Sequence, residues 1–357
     1  MKTELFDYEL PDELIAARPP EFRDGGRMCV LEQSAIRHGL VKDFPKELRA
    51  NDLVVLNETR VRRARLNCRR PLEANGGGGA KVELLFLHPR GDDSWSALGK
   101  ANRPLRVGDR LESAHLKLTI SGRELDGTLH VHVDGDLEAE LLLEGTMPIP
   151  PYMNRTGDAE DVNRYQTVFA TDLGSAAAPT AGLHLTTSVL ESLPSLGVEV
   201  ARLTLHVGVG TFRPVSAKDL DDHLMHSEEI EVGEELSRQV EEARQKNGRV
   251  IAIGTTAVRA LESAADPARP GHVRPTKIST NLLIQPGYEF QVTDALWTNF
   301  HQPRSTLMAL VSAFIGLDRV KVAYKEAVAE RYRFLSYGDA MWIPTPRNSG
   351  EAGGEKT

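Results

Sequence analysis

Short apolar runs and longer periodic segments alternate over much of this chain. The runs at 53–56 and 250–253 are apolar throughout and end at polar residues or glycine, as buried strands do. The segment 234–247 instead carries its apolar residues at helical spacing. Buried strands combined with amphipathic helices predict an α/β main domain.

The pattern changes between about residues 64 and 147. Short runs of β-type residues are separated there by turn signals, and no helical period interrupts them. Closely spaced strands with frequent turns predict a small antiparallel β-barrel. We therefore expect a discontinuous α/β domain, 1–63 and 148–343, with the barrel inserted at 64–147, and a polar, disordered tail at 344–357.

The segment 276–316 contains the most distinctive arrangement. Two extended runs, 281–284 and 288–292, flank a Pro-Gly turn and predict two strands. The following helix, 306–315, is apolar nearly all round, so it should lie deep in the core. Ser305 is placed to cap its N-terminus.

An acid, an amide, an imidazole and a guanidinium lie between the second of these runs and the helix: Asp294, Asn299, His301 and Arg304. A rigid strand end beside a helix N-terminus is a favourable place for a site, because the helix end attracts negative or electron-rich groups. The alternative for each residue alone is a loop whose polar groups satisfy the backbone. Because Ser305 can cap the helix without them, we interpret the cluster as functional.

Other candidates follow other predicted strands and loops. His184 comes after a stretch of small residues, and His206 ends a predicted strand. Thr255 and Thr256 follow a buried strand at the start of a helix, where exposed amides and hydroxyls can hold a ligand. A plain helix cap explains the two threonines equally well.

His226 belongs to a polar cluster in which His223 lies three residues before it. This spacing is compatible with a metal ligand pair, but no clear third ligand accompanies it, and we expect no metal site. The stretch VGVGTF, which follows His206, lacks the third glycine and the helix of a dinucleotide fingerprint. A Rossmann-type site is therefore rejected.

Composition and charge narrow the class of protein. A chain of 357 residues suits two domains, and 40% hydrophobic with 26% charged residues is ordinary for a soluble enzyme. The N-terminus carries acids where a secretory signal needs apolar residues, and the two cysteines have neither metal nor disulfide spacing. We expect a cytoplasmic protein.

The net charge of −8 argues against a protein that coats DNA, but a local basic run is present. The run consists of Arg60, Arg62, Arg63 and Arg65. Because it falls at the predicted junction of the two domains, we expect it near the phosphates of a bound nucleic acid. A solvated strand face is the alternative.

Seven blocks of the sequence, in this order, resemble one family. They are LNETRVRRARL, APTAGLHLT, LTLHVGVGTFRPV, MHSEEI, IAIGTTAVRALES, PGYEFQVTDALWTNFHQPRSTLMALVSAFIG and AYKEAVAERYRFLSYGDAM. Over 6–343 the chain is similar to the S-adenosylmethionine:tRNA ribosyltransferase-isomerases of queuosine biosynthesis. It departs from the residues usual in that family at Glu58, Leu185, Gln302 and Arg304, which bears on pocket detail and not on the reaction.

The resemblance implies an α/β domain with an inserted β-barrel and a specific reaction. The ribosyl part of S-adenosylmethionine is moved onto 7-aminomethyl-7-deazaguanine at the tRNA wobble position, which gives epoxyqueuosine-tRNA, adenine and methionine. S-adenosylmethionine then acts as a substrate, the ribosyl donor, and no metal is needed. We expect tRNA and S-adenosylmethionine as partners, no membrane, and a monomer.

The implied chemistry needs a base for the carbon beside the sulfonium, an acid for the departing adenine, and deprotonation of the attacking amine. Histidines and carboxylates suit these tasks. We assign acid–base work to five residues, His184, His206, His226, Asp294 and His301. Ligand contacts are assigned to Thr255, Thr256, Asn299 and Arg304, and Arg304 would bind the methionine carboxylate or a tRNA phosphate.

Two other classes stay open at this point. A tRNA-binding protein without catalysis would bind tRNA and show no turnover, and a nucleotide-sugar hydrolase would release adenine without tRNA. The histidines favour the transferase. We expect the anticodon arm between the barrel and the α/β domain, and His301→Ala to leave a folded protein that binds S-adenosylmethionine but barely turns over.

Overall fold

A computed structural model of the chain describes residues 1–71, 79–91, 93–208 and 215–345. The strands are β1 (Arg27–Leu31), β2 (Ile36–Leu40), β3 (Leu53–Asn57), β4 (Thr59–Val61), β5 (Arg65–Arg69), β6 (Lys81–Gly91), β7 (Ser94–Ala101), β8 (Arg110–Glu112), β9 (Lys117–Arg123), β10 (Leu129–Asp134), β11 (Asp172–Ser175), β12 (Glu199–Leu205), β13 (Glu228–Val232), β14 (Val250–Ile253), β15 (Thr276–Thr280), β16 (Ala295–Asn299) and β17 (Ala340–Ile343). The helices are α1 (Leu137–Leu143), α2 (Ala159–Arg164), α3 (Thr187–Ser192), α4 (Glu234–Gln245), α5 (Thr255–Ser263), α6 (Thr306–Ile315) and α7 (Leu317–Ala329).

Nine strands form one mixed sheet in the order β15-β13-β12-β3-β14-β16-β17-β1-β2. The four strands β12, β3, β14 and β16 run parallel to one another, whereas β17 is antiparallel to β16. Because these four strands run in the same direction, their carboxyl ends all lie at one edge of the sheet. That edge carries most of the residues discussed below.

Both faces of this sheet are covered, because successive side chains of a strand point to opposite faces. On β3, Leu53 and Val55 pack into a large core with residues of α4, α5, α6 and α7. Val54 and Leu56, on the same strand, pack into a second core with Trp297, Trp342 and residues of α3. A strand apolar at every position is the expected result for a sheet buried on two sides.

A closed, six-stranded antiparallel barrel forms the second unit, in the order β10-β7-β6-β5-β8-β9. Its interior is filled by its own apolar side chains, and Leu137 and Leu141 of α1 join them. Asp136 caps that helix by accepting a hydrogen bond from the Ala139 amide at 3.1 Å. The expected fold class, an α/β domain with a small antiparallel barrel, is confirmed. The boundaries 63/64 and 147/148 stay a prediction.

The prediction of the buried helix is confirmed, and the prediction of two strands before it is wrong. The helix spans Thr306–Ile315, and Ser305 Oγ accepts from the Met308 amide at 3.1 Å. Residues 281–284 and 288–292 form no strand. The buried carboxylate of Glu262 accepts from the amides of Gln291, Val292 and Thr293 at 2.8, 3.2 and 2.9 Å, so a side chain replaces a neighbouring strand. The strand lies further on, at β16.

Residues 346–357, most of the predicted disordered tail, lie outside the described residues, and so do residues 209–214, which include the last four residues of the VGVGTF stretch. Within the ranges given above, no helix combines the length and the apolar character needed to cross a membrane.

Candidate active site

Several candidate residues follow the carboxyl ends of the parallel strands. Asn57 ends β3, His206 follows β12, Thr255 and Thr256 follow β14, and Asn299 ends β16. Ligands of open α/β sheets bind at this edge, because loops rather than strands continue the chain there. Two cavities open at this edge: a narrow one between strand ends, called here the deep pocket, and a wide cleft against the barrel.

Asn57 fixes the relative positions of three strand ends. Its Nδ2 donates to the Leu205 carbonyl at 3.0 Å and to Thr256 Oγ1 at 3.2 Å, and its Oδ1 accepts from the Leu205 amide at 3.0 Å. The side chain is buried and bonded through both its amide nitrogen and its oxygen. Sequence analysis did not select it, since an asparagine at a strand end is usually a turn former.

The deep pocket has a volume of about 20 Å³ and is lined by Thr255, Thr256, Asn299 and His301. His301 Nε2 lies 2.9 Å from Thr298 Oγ1, and the backbone amide of His301 donates to the Tyr324 hydroxyl at 3.0 Å. Burial lowers the pKa of His301 to about 3. The imidazole is therefore neutral near pH 7 and can act there as a hydrogen-bonding group.

His184 lies behind this pocket and is joined to it through Asn299. The Asn299 amide nitrogen donates to His184 Nε2 at 3.0 Å, and Thr180 Oγ1 donates to Asn299 Oδ1 at 2.9 Å. Because Nε2 accepts, the neutral ring carries its proton on Nδ1. Burial, with a smaller effect of nearby arginines, lowers the pKa of His184 to about 4. This histidine is also neutral near pH 7.

The wide cleft lies between the barrel and the α/β body and has a volume of about 680 Å³. That is the size of a pocket for a drug-sized ligand or nucleotide, roughly 300–1,000 Å³. Four carboxylates, three histidines and one arginine line it: Glu124, Asp126, Glu228, Glu229, His88, His206, His226 and Arg62. The excess of carboxylates favours ligand groups that carry positive charge and disfavours phosphates.

His206 is held at the wall of the cleft from both sides of its ring. Nδ1 lies 2.8 Å from Thr59 Oγ1, and Nε2 lies 3.7 Å from Asp172 Oδ2. Partial burial lowers the pKa of His206 despite the opposing effect of Asp172. The side chain keeps 29% of its surface exposed, so a ligand can reach it.

His226 also lines the cleft, and its Nδ1 lies 3.9 Å from Asp126 Oδ2 on the barrel. This pair of side chains therefore connects the α/β body with the barrel across the cleft. In the part of the chain that the structure describes, no group of three or more His, Cys, Asp or Glu is arranged to hold a metal ion.

Besides His184, the predicted site residues Asp294 and Arg304 also line neither cavity. Asp294 precedes β16 and so stands at the opposite end of that strand from Asn299, roughly 16 Å away at about 3.3 Å per residue. Its carboxylate bonds Arg244 at 2.5 Å and the Val250 amide at 2.7 Å, which gives it a structural role. Arg304 is exposed at a turn, with its backbone in the left-handed region at φ 54°.

The predicted basic run is largely engaged with the protein itself. Arg63 donates to the Leu142 carbonyl at 2.8 Å, and Arg65 bonds Glu83 at 2.5 Å and the Ile149 carbonyl at 3.2 Å. Arg62 lies 3.2 Å from Glu138 and 5.0 Å from the centre of the Trp95 ring, and it lines the cleft. Arg60 is exposed, with a single bond to the Ala170 carbonyl at 3.4 Å.

The prediction from the sequence did not include one ion pair at the site. Arg259 and Glu228 are both buried, at 5% and 4% exposure, and form an ion pair. The available signal was Arg259 itself, since a charged residue stands there within a helix that is buried from Thr255 to Glu262. A charge on a buried helix face needs a partner or a ligand.

The fold is that of an α/β protein with an inserted barrel, and a large cleft lies between the two units. The family model described as "Queuosine biosynthesis protein" matches residues 3–343. The chain belongs to this family, the S-adenosylmethionine:tRNA ribosyltransferase-isomerases, which are enzymes of the transferase class.

Individual relatives agree over almost the whole length. A protein of Sorangium cellulosum (strain So ce56) named S-adenosylmethionine:tRNA ribosyltransferase-isomerase is 45% identical, over 96% of this chain and 98% of the relative. One of Symbiobacterium thermophilum with the same name is 45% identical, over 96% and 100%. The crystal structure of S-adenosylmethionine tRNA ribosyltransferase from Thermotoga maritima is 34% identical, with a TM-score of 0.54, over 95% of this chain and 99% of that one.

Proposed function

We propose that the protein transfers the ribosyl part of S-adenosylmethionine to 7-aminomethyl-7-deazaguanine at the wobble position of tRNA, with isomerisation to epoxyqueuosine and release of adenine and methionine. Membership of the family supports the substrates, since the relatives carry S-adenosylmethionine and tRNA in their names. The observation that carries the proposal is the cleft of about 680 Å³ with its four carboxylates.

The charge of the cleft fits both reacting molecules. S-adenosylmethionine carries a sulfonium, and the aminomethyl group of the tRNA base is an ammonium near neutral pH. Carboxylates at the cleft wall, such as Glu229 and Asp126, attract both cations and favour their approach. We propose that the modified base enters the cleft while the phosphates of the anticodon arm stay outside it, near Arg60 and Arg304.

The histidines divide into two groups with different tasks. His206 and His226 line the cleft, and we assign to them the proton transfers at the carbon beside the sulfonium, the adenine and the attacking amine. His184 and His301 are neutral near pH 7 and, with such low pKa values, bind protons poorly, so we assign to them the holding of ligand groups.

The polar groups of the deep pocket suit a neutral ligand portion. Thr255, Thr256 and Asn299 present hydroxyl and amide groups beside His301. The two threonines stand at the N-terminus of α5, where the helix amides point outward. We assign to them the hydroxyl groups of the ribose. Asp294 has a structural explanation in its bonds to Arg244 and Val250, and we leave it out of the proposed site.

Adenine release tests the proposal. The protein is mixed with S-adenosylmethionine and tRNA carrying 7-aminomethyl-7-deazaguanine, and free adenine and the modified nucleoside are measured. We expect stoichiometric adenine and epoxyqueuosine, and none with the same tRNA carrying guanine at that position. Adenine without tRNA would instead indicate a hydrolase. Tight tRNA binding without adenine would indicate a binding protein.

A further inference from the structure

A third cavity, smaller than the cleft and separate from the deep pocket, opens beside the cleft, and the buried Arg259 lines it. The pocket has a volume of about 20 Å³. It shares His226 and Glu228 with the lining of the cleft. Because the two cavities have these walls in common, a ligand that lies in the cleft can extend a small group toward Arg259.

The Arg259 guanidinium is only partly bonded. Nε donates to the Leu282 carbonyl at 3.0 Å, and Nη1 donates to the Glu228 carboxylate. Nη2 is buried and has no hydrogen-bond partner among the residues that the structure describes. Buried donors in proteins are nearly always satisfied, because an unmade bond leaves the desolvation of the group uncompensated. The missing acceptor points to a ligand.

One further contact and the position of Arg259 on a helix fix the guanidinium in place. Glu228 Oε1 accepts from the Gly208 amide at 2.9 Å, so the carboxylate that holds Nη1 is itself held. Arg259 lies on α5, one turn beyond Thr255 and Thr256. A donor anchored in this way is preorganised and loses little freedom when it binds an anion.

The surroundings select among anions. Glu228 offsets much of the charge of Arg259, which disfavours a doubly charged phosphate and leaves room for a singly charged carboxylate. Met225, Leu307 and Leu310 contribute apolar walls, which suit a short aliphatic chain. A pocket of about 20 Å³ accepts the head of a ligand and no more. A carboxylate at the end of an aliphatic chain satisfies all three conditions.

We propose that Arg259 binds the carboxylate of the methionine end of S-adenosylmethionine through Nη2, while the rest of the molecule lies in the cleft. This inference rests on the proposed function. It transfers the carboxylate contact from Arg304, whose side chain is exposed at a turn, to a buried and oriented guanidinium.

Binding measurements on the full chain test this assignment. Isothermal titration compares S-adenosylmethionine with decarboxylated S-adenosylmethionine, which lacks only the carboxylate. For the wild-type protein we expect about 10- to 100-fold weaker binding of the decarboxylated ligand, as for loss of a charge-assisted hydrogen bond. For Arg259→Gln we expect this preference to disappear, because only the carboxylated ligand loses affinity.

Two matched variants complete the design. Arg249→Gln removes another nearly buried arginine, which bonds Asp52 at 2.6 Å outside the site, and should keep the wild-type preference. Arg304→Gln tests the rival contact directly. A wild-type protein without preference for the carboxylate would overturn the proposal, and so would loss of the preference in Arg304→Gln but not in Arg259→Gln.

The outcomes also separate this inference from the function on which it rests. If the wild-type protein neither binds S-adenosylmethionine nor releases adenine, the proposed function fails. If it releases adenine and Arg259→Gln still prefers the carboxylated ligand, only the Arg259 assignment fails. Should Arg259→Gln not fold, Arg259→Lys and the wild-type comparison of the two ligands decide the question, since neither depends on that variant.

Discussion

The deep pocket and the cleft both contain histidines, but they differ in burial and in charge. In the deep pocket, His301 is 7% exposed and His184, behind it, 3% exposed, and burial lowers their pKa values to about 3 and 4. In the cleft, His206 and His226 keep 29% and 46% of their side-chain surface exposed, with carboxylates near them. Residues of one type therefore have different chemical capacities within one site.

This difference separates holding a substrate from moving its protons. Groups that are bonded on several sides and stay neutral can position a ligand with little motion. Groups that face solvent and carboxylates can gain and lose protons during a reaction. We therefore place the acid–base steps in the cleft and the positioning of the ligand in the deep pocket.

The largest expected effect belongs to the cleft. We expect His206→Gln to lower the rate of adenine release by about 10²–10⁴-fold, the usual loss for one acid–base group, with little change in melting temperature. Single-turnover adenine release and thermal melting measure the two quantities. His132→Gln, the same change at an exposed barrel position, is the control. A rate within a few-fold of wild type would remove His206 from the chemistry.

His301→Ala tests the role of the buried, neutral histidine in the deep pocket. Its removal leaves Thr298 Oγ1 buried without its 2.9 Å partner, which should cost about 1–3 kcal/mol of stability. We expect adenine release by the folded fraction to fall by about 10²-fold, because a ligand that loses a positioning contact is displaced from its reactive geometry. A large drop in melting temperature with near-normal chemistry would make His301 structural.

The depressed pKa values predict how stability depends on pH. Between about pH 4 and 6.5 the unfolded state binds a proton at His184 that the folded state does not. The free energy of unfolding therefore falls as the pH drops through this window and is fully retained above it. We expect His184→Gln to reduce the slope by about 1.4 kcal/mol per pH unit near pH 5.

Urea denaturation at several pH values measures that slope. His132→Gln again provides the matched change at an exposed position. Identical slopes in wild type and His184→Gln would mean that His184 titrates normally in the folded protein, and the contrast between the two histidine groups would then be lost.

The smallest expected effect concerns the basic run. Arg60 is exposed, whereas Arg63 and Arg65 bond the protein itself, so only Arg60→Gln should act mainly through tRNA. We expect a few-fold weaker binding of tRNA and a salt dependence reduced by about one phosphate contact. Arg238→Gln, on the exposed face of α4, is the control. An unchanged salt slope would exclude a phosphate contact of Arg60.

Local signals in the sequence were sufficient for some of these features. The apolar stretch and Ser305 identify α6 to the residue, because a cap and a buried helix face are properties of neighbouring positions. Turn spacing likewise identifies the barrel. Thr255 and Thr256 at the start of α5 follow from a buried strand and its adjoining helix.

Other features depend on contacts between distant parts of the chain. Asp294 was assigned to a strand end because 288–292 has a strand composition, and only the Glu262 carboxylate explains why the strand begins later. The engagement of Arg65 with Glu83 and Ile149 depends on how the barrel closes. Arg259, on helix α5, is paired with Glu228 of the distant strand β13, and its partly bonded state becomes visible only in the folded structure.

Blocking the cleft tests the central claim, that the reaction takes place between the barrel and the α/β body. Leu173 lines the cleft with 49% of its surface exposed, so Leu173→Trp narrows the cleft without disturbing a core. Val107→Trp adds the same ring at a barrel position, 64% exposed, away from the cleft lining. With modified tRNA, we expect the single-turnover rate of adenine release to fall strongly in Leu173→Trp and to equal the wild-type rate in Val107→Trp. Equal rates in both variants would contradict the central claim.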